Sequence, residues 1–291
     1  MTPRLPPIAD ATTEVMDKYF GVSMLDIATF DKIPVIRELM HQRGDGLALD
    51  IGIGTGYTTH VVLGEVGTVC LDAHEPNLSH FRDALAAIGS VSRPLYVVAD
   101  AVALPFRAGV FRYVLCSEVL EHLSDDGTAV REIAWVLADN GRGIITVPHT
   151  GLGFSNFLEL LGIPTVHDYP GLERHVRPGY DFESLRHVLG VNGLEVEKLA
   201  YYFRLFTRLV ADLVALVHIF YEAVVLRRRV WAWSDIVSVE RTRMFSVYRL
   251  LFPVLSAISR LDRLLHWMPG FGLVAVRKRT EASAAKLTGG N

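Results

Sequence analysis

The chain has 291 residues, half of them apolar, and a formal net charge of −3. That length accommodates one large domain with a sizeable insertion, and the small net charge excludes a strongly basic nucleic-acid binder. The two cysteines, Cys70 and Cys116, each sit inside an apolar run, which fits buried free thiols in a reducing, cytoplasmic setting. The first twenty residues contain no apolar stretch of signal-peptide length, so secretion is not expected.

Residues 1–43 read as N-terminal covering helices. Short β-branched runs then alternate with helix-like stretches. Gly46–Asp50, Thr68–Leu71, Pro94–Ala99, Tyr113–Ser117 and Gly143–Val147 read as buried strands. Between them, Tyr57–Leu63, Leu78–Ile88 and Ala129–Leu137 space their apolar residues as helices do, and Ser124, Asp125 and Asp126 supply capping chemistry before the last. Such alternation predicts an α/β fold with a parallel sheet and helices on both faces. This core spans 44–200 and ends in a helix, a glycine turn and a strand within "HVRPGYDFESLRHVLGVNGLEVEKL". A helical insertion covers 201–268, a closing strand 269–279, and a disordered tail 280–291.

The stretch "LALDIGIGTGYTTHV" places Gly52, Gly54 and Gly56 after the first strand and before a helix, where amides attract negative groups. The dinucleotide fingerprint requires a third glycine where Tyr57 stands, and the phosphate-loop Gly-Lys-Ser/Thr is absent. Asp72 ends the second strand, where a carboxylate can accept both hydroxyls of a ribose; Glu75 is the alternative. Asp100 ends the third strand and can accept from an exocyclic amine. Together these residues describe a pocket for an adenosine with a zwitterionic tail and no phosphates.

The motifs "LDIGIGTGY", "LDAHEPNL", "ADAVALPFRAGVFRYVLCSEVLEHL" and "REIAWVLADNGRGIITVPH" resemble, in order, those of class I S-adenosylmethionine-dependent methyltransferases. The resemblance is to the broad group that includes ubiquinone-biosynthesis-type enzymes, and it covers about residues 45–150. It implies a Rossmann-like, seven-stranded, mostly parallel sheet with the helical insertion before the last strand. It implies S-adenosylmethionine as cofactor, with Asp50 and the Gly52–Gly56 loop at its methionine end. Asp72 would hold the ribose, Asp100 and Ala101 the adenine, and Ser117 and Glu118 would line the floor near the methyl. The sequence departs from the family where Phe111 is followed by Arg112 and where "ADNGRG" replaces a Lys-Pro-Gly-Gly turn.

Methyl transfer from a sulfonium is a direct displacement, so the protein chiefly aligns the acceptor and excludes water. A hydroxyl acceptor calls for a base, and His149, His122 and His175 are the candidates. His167, Asp168 and His175 match no standard ligand spacing, so no metal is expected. The expected function is methyl transfer to a small, partly apolar acceptor, with no nucleic-acid partner. The rivals are a nicotinamide-dependent oxidoreductase and a non-catalytic methyltransferase-like scaffold.

In the insertion, Arg204–Leu226 reads as a helix with a narrow polar stripe that includes Thr207, Arg208 and Asp212. A second helix is expected to start at Pro253 and run over Val254–Trp267, with Ser256, Ser259, Arg260, Arg263 and His266 opposite Leu255, Ile258, Leu261 and Leu265. The charged stripe argues against a membrane span. The pair is expected to border an apolar acceptor pocket, with a peripheral membrane contact aided by Arg227, Arg228 and Arg229 as the alternative.

Overall fold

The computed structural model describes residues 19–20, 25–40, 46–63, 67–90, 94–150, 175–220 and 243–278. Its elements in chain order are α1 (Ile27–Met40), β1 (Ala48–Ile51), α2 (Tyr57–Leu63), β2 (Thr68–Asp72), α3 (Glu75–Ala87), β3 (Leu95–Val98) and β4 (Phe111–Ser117). After β4 come a 3-10 turn (Leu120–His122), α4 (Asp126–Val136), β5 (Leu137–Val147), α5 (Phe182–Val191) and β6 (Leu194–Tyr202). The insertion follows as α6 (Leu205–Phe220), α7 (Arg243–Ser259) and a second 3-10 turn (Arg260–Leu265), before β7 (Phe271–Lys278).

The strands form one seven-stranded sheet in the order β3-β2-β1-β4-β5-β7-β6. β1 to β5 pair in parallel, and β7 runs antiparallel between β5 and β6. Strand order reverses between β1 and β4, which opens a crevice at their carboxyl ends. Right-handed crossovers on either side of this reversal must place their helices on opposite faces. Accordingly, Leu49, Ile51, Val114, Cys116, Ile145 and Val147 pack with α4 and α5, whereas Ala48, Tyr113, Leu115 and Ile144 pack with α1 and α2. α3 covers Cys70 on the α2 side through Leu78, Phe81 and Leu85. Both cysteines are free and buried, and burial pushes both thiols well above their usual pKa.

Several boundaries differ from the sequence expectation. β5 begins at Leu137 rather than Gly143, because its early part pairs Leu137 with Phe111 before a register shift resumes the ladder at Arg142 and Tyr113. α3 begins at Glu75 rather than Leu78, with a proline in its first turn where a missing N–H costs nothing. The Asp125 carboxylate accepts from Thr128 N and caps α4, as the capping chemistry predicts.

The insertion is corrected in two respects. α7 starts at Arg243 and runs through Pro253, which lies inside the helix rather than at its start. The two serines of its expected polar side are also buried rather than exposed: Ser256 and Ser259 lie inside, whereas Arg260, Arg263 and His266 of that side are exposed, as are Leu250, Val254 and Ile258 of the helix and Leu261 and Leu264 after it. The buried hydroxyls are satisfied inside the helix, Ser256 donating to Pro253 O and Ser259 to Ser256 O, so small polar residues can form the helix–helix contact. In α6, Thr207 and Val210 are buried, Thr207 donating to Ser259 O, whereas Leu209, Leu213, Val217 and Phe220 are exposed. Buried Asp262 accepts from Phe206 N and Thr207 N and so closes the first turn of α6.

No described helix is long and apolar enough to cross a membrane. Arg227, Arg228 and Arg229, with His167 and Asp168, lie outside the described residues.

Candidate functional site

The crevice between β1 and β4 gathers residues from four strand ends. Gly52, Gly54 and Gly56 all adopt positive φ, at 72°, 52° and 76°. Their reasons for being glycine differ. A Cβ on Gly52 would lie 2.5 Å from Val119 Cγ2, so this glycine lets the loop after β1 close against the loop after β4. A Cβ on Gly56 would lie 2.2 Å from the buried Phe81 ring, so this one lets α3 pack. Gly54 alone faces open space, with nothing within 4 Å of a Cβ placed there. It is the position at which a ligand can approach the backbone.

Asp72 is buried at the end of β2, and its carboxylate accepts from Gly54 N (3.2 Å), His74 N (2.8 Å) and Asn77 Nδ2 (3.2 Å). Three of about four lone-pair sites are therefore engaged by the protein, leaving room for one donor from a ligand. Glu75, at the start of α3, is exposed and accepts from Ser79 of its own helix. Asp100 is exposed beyond β3 and accepts from Val102 N (3.1 Å), while the neighbouring Ala101 is buried in the core. Asp50 is buried and accepts from the Thr59 hydroxyl. Burial, with the Asp72 charge adding to it, pushes the Asp50 carboxyl up to about 7, against the pull of Thr59 and Lys32.

At the end of β4 the structure assembles a polar chain that sequence reading did not find. Lys32 of α1 donates to Ser117 Oγ (3.0 Å), and Ser117 and Thr146 share a hydroxyl hydrogen bond (3.0 Å). Thr146 Oγ1 (2.6 Å) and the Tyr202 hydroxyl (2.7 Å) both donate to Glu118 Oε1. Read with the donors in order, the chain runs Lys32 to Ser117 to Thr146 to Glu118, with Tyr202 arriving from β6. Glu118 itself has φ of 56°, a conformation that costs a non-glycine residue and that this network holds in place. Ser117 and Glu118 were expected here from the family resemblance. Lys32, Thr146 and Tyr202 were not, because three distant segments converge only after folding.

The three candidate bases do not form one group. His149 bridges to Tyr180, packs edge-on against Tyr201 at 5.8 Å, and lines a small cleft with Asp181, Phe182 and Leu185. Burial draws its imidazole below the usual pKa, with Asp181 opposing. His122 and His175 instead stack edge-to-face on each other at 4.5 Å, beside Glu121.

The carboxyl-edge location, the open Gly54 cradle and the acids of β1 to β3 fit an adenosine cofactor without phosphates. Residues 49–145 match the family described as a methyltransferase domain. Over 101 residues the chain is 36% identical to the ubiquinone/menaquinone biosynthesis C-methyltransferase UbiE of Escherichia coli, covering 33% of this chain and 40% of that protein. This region is a class I S-adenosylmethionine-dependent methyltransferase domain.

The chain thus spans less than half the length of the curated relatives it matches. Among solved structures, phosphoethanolamine N-methyltransferase 2 of Haemonchus contortus in complex with S-adenosyl-L-methionine is similar at 15% identity and a TM-score of 0.53, covering 93% of this chain and 57% of that one. The [4+2]-cyclase SpnF is similar at 18% identity and a TM-score of 0.52, covering 84% and 80%. At these identities the likeness establishes the Rossmann-like methyltransferase fold, and the cyclase shows that fold alone does not fix the reaction.

Proposed function

We propose that the chain transfers a methyl group from S-adenosylmethionine to a small, largely apolar acceptor by direct displacement. The observation that carries this reading is that the crevice and the start of the insertion lie along the same edge of the sheet. The methyltransferase crevice opens at the carboxyl ends of β1 and β4. α6 leaves β6 at that same edge, and the chain returns through β7, whose Phe271 pairs with Tyr202 at the last position of β6. The segment between them turns apolar side chains outward, including Leu250 of α7, Leu264 of the 3-10 turn and Trp267 after it, which are 78%, 71% and 73% exposed. An apolar acceptor reaching the crevice finds a matching surface there.

In this reading, S-adenosylmethionine supplies the activated methyl, and the residues of the chain bind and orient. The Gly54 backbone lies open to the methionine end. Asp72 serves the ribose, with Glu75 as the alternative, and Asp100 and the Ala101 backbone serve the adenine. Ser117 and Glu118, held by Lys32, Thr146 and Tyr202, form a rigid floor beside the acceptor. His149 is kept neutral by burial and is suited to take the proton of a hydroxyl acceptor.

The test is to incubate the protein with S-adenosylmethionine labelled in its methyl group and with the organic-soluble and aqueous fractions of a cell extract. Label in an organic-soluble product is expected. Label in aqueous products alone would refute the apolar acceptor. Binding of a nicotinamide dinucleotide, with neither S-adenosylmethionine nor S-adenosylhomocysteine bound, would refute the whole reading.

A second reading is favoured by the buried hydroxyls and outward-facing apolar side chains of α6 and α7. Small hydroxyl residues at a helix–helix contact with large apolar residues outside is the arrangement of helices packed in an apolar medium. In this version the outer side rests on a lipid surface, from which the acceptor is taken.

A further inference from the structure

We propose that Glu121, His122 and His175 form a binding site for a divalent transition-metal ion of the zinc type. Glu121 and His122 lie in the 3-10 turn after β4. His175 comes from a segment far along the chain, fastened to that turn where Val176 N (2.9 Å) and Arg177 N (3.3 Å) both donate to Glu121 O. One ligand atom from each of the three side chains lies within 4.8 Å of the others. Zinc–nitrogen and zinc–oxygen bonds of about 2.0–2.2 Å place neighbouring ligands roughly 3.4 Å apart, so modest side-chain rotations close the site.

The second observation is the state of Glu121. Its side chain is fully buried, at 0% exposure, and neither carboxylate oxygen has a hydrogen-bond partner. His122 Nδ1 is likewise buried without one. A buried carboxylate normally accepts several hydrogen bonds, and leaving it bare is costly. The neighbouring cations are committed elsewhere. Arg177 binds Asp126, Tyr180 and Leu123 O, and Lys32 binds Ser117. Burial, with the nearby Glu118 charge adding to it, holds the Glu121 carboxyl above the usual range. A dication takes up the bare oxygens and displaces the proton from the carboxyl.

The donor set indicates which ion. Two imidazole nitrogens and one carboxylate suit zinc and its borderline neighbours, whereas calcium and magnesium require more oxygen ligands. Three protein ligands also leave a coordination position for an oxygen of water or of an acceptor.

The experiment uses tag-free full-length protein, stripped with a chelator and dialysed against zinc, with bound metal counted by mass spectrometry. One zinc per chain is expected. Glu121→Gln and His175→Ala should each weaken binding by more than the roughly 10–100-fold that outer-shell partners contribute. His187→Ala, on the exposed side of α5, should keep it. Cobalt-loaded wild type should show ligand-field absorption that His175→Ala loses. Metal-free circular dichroism matching wild type qualifies each variant as folded. Should Glu121→Gln fail to fold, the more exposed His175→Ala decides the matter. No stoichiometric zinc, or undiminished binding in His175→Ala, overturns the proposal. So does equal loss in His187→Ala. None of these readouts uses methyl transfer, so the site and the proposed activity stand or fall separately.

Discussion

Gly54 and Gly56 are two residues apart, both at positive φ, yet the structure assigns them opposite roles. For Gly56→Ala, the new Cβ meets Phe81 Cδ2 at 2.2 Å and Cγ at 2.4 Å, and Phe81 is among the most fully buried side chains. Overpacking of about 1–3 kcal/mol adds to roughly 1 kcal/mol for a side chain in the left-handed region. The expected loss of stability is therefore about 2–4 kcal/mol, with cofactor affinity nearly unchanged in the folded fraction. For Gly54→Ala the Cβ meets nothing, so only the roughly 1 kcal/mol conformational cost applies. Gly54→Val fills the approach to the backbone and should weaken S-adenosylhomocysteine binding by on the order of 100-fold, or about 2.7 kcal/mol. Urea unfolding gives the stabilities and calorimetry the affinities. Wild-type affinity in Gly54→Val, or wild-type stability in Gly56→Ala, would refute this division of labour.

Asp72→Ala should weaken cofactor binding by about 1–3 kcal/mol by calorimetry, and it also strands Gly54 N, His74 N and Asn77, so stability should fall with it. Normal binding in Asp72→Ala together with lost binding in Glu75→Ala would transfer the ribose role to Glu75. Asp50 holds its proton up to about pH 7 in the folded chain but releases it near 3.8 when unfolded. Its contribution to stability is thus complete below about pH 4 and declines by up to about 1.4 kcal/mol per pH unit on the way to 7. Asp50→Asn removes this decline, and equal slopes for the two proteins in urea unfolding at pH 5 and 7.5 would contradict it. Tyr202→Phe takes one of two donors from Glu118 Oε1 and should destabilise the fold by about 1–3 kcal/mol in the same assay. Combined Leu250→Glu, Leu264→Glu and Trp267→Glu substitution should reduce co-sedimentation with phosphatidylcholine vesicles; unchanged binding would remove the lipid-surface reading.

Much of the core could be read from residue order. Period and punctuation are local properties, so the β-branched runs, the helices between them and the glycine loop were legible in outline. The acids at strand ends were legible for the same reason: parallel strands all end at one edge, so their last residues share it. Boundaries were less legible where pairing decides them, as at Leu137, whose strand character comes from its partner Phe111.

Contacts between distant segments were not legible. Three glycines look alike in "GIGTG", and only Val119 and Phe81, brought close by folding, distinguish two packing positions from one open one. Periodicity identified two-sided helices in the insertion but not that the two serines of the expected polar side face inward. The reason is that Ser256 and Ser259 satisfy their hydroxyls within their own helix, so burying them strands no donor and the usual polarity rule has no hold. The joining of Lys32, Thr146 and Tyr202 around Glu118, and of His175 with Glu121, likewise depends on tertiary structure. Side chains separated by much of the chain carry no shared pattern until the sheet and its covering helices set the distances between them.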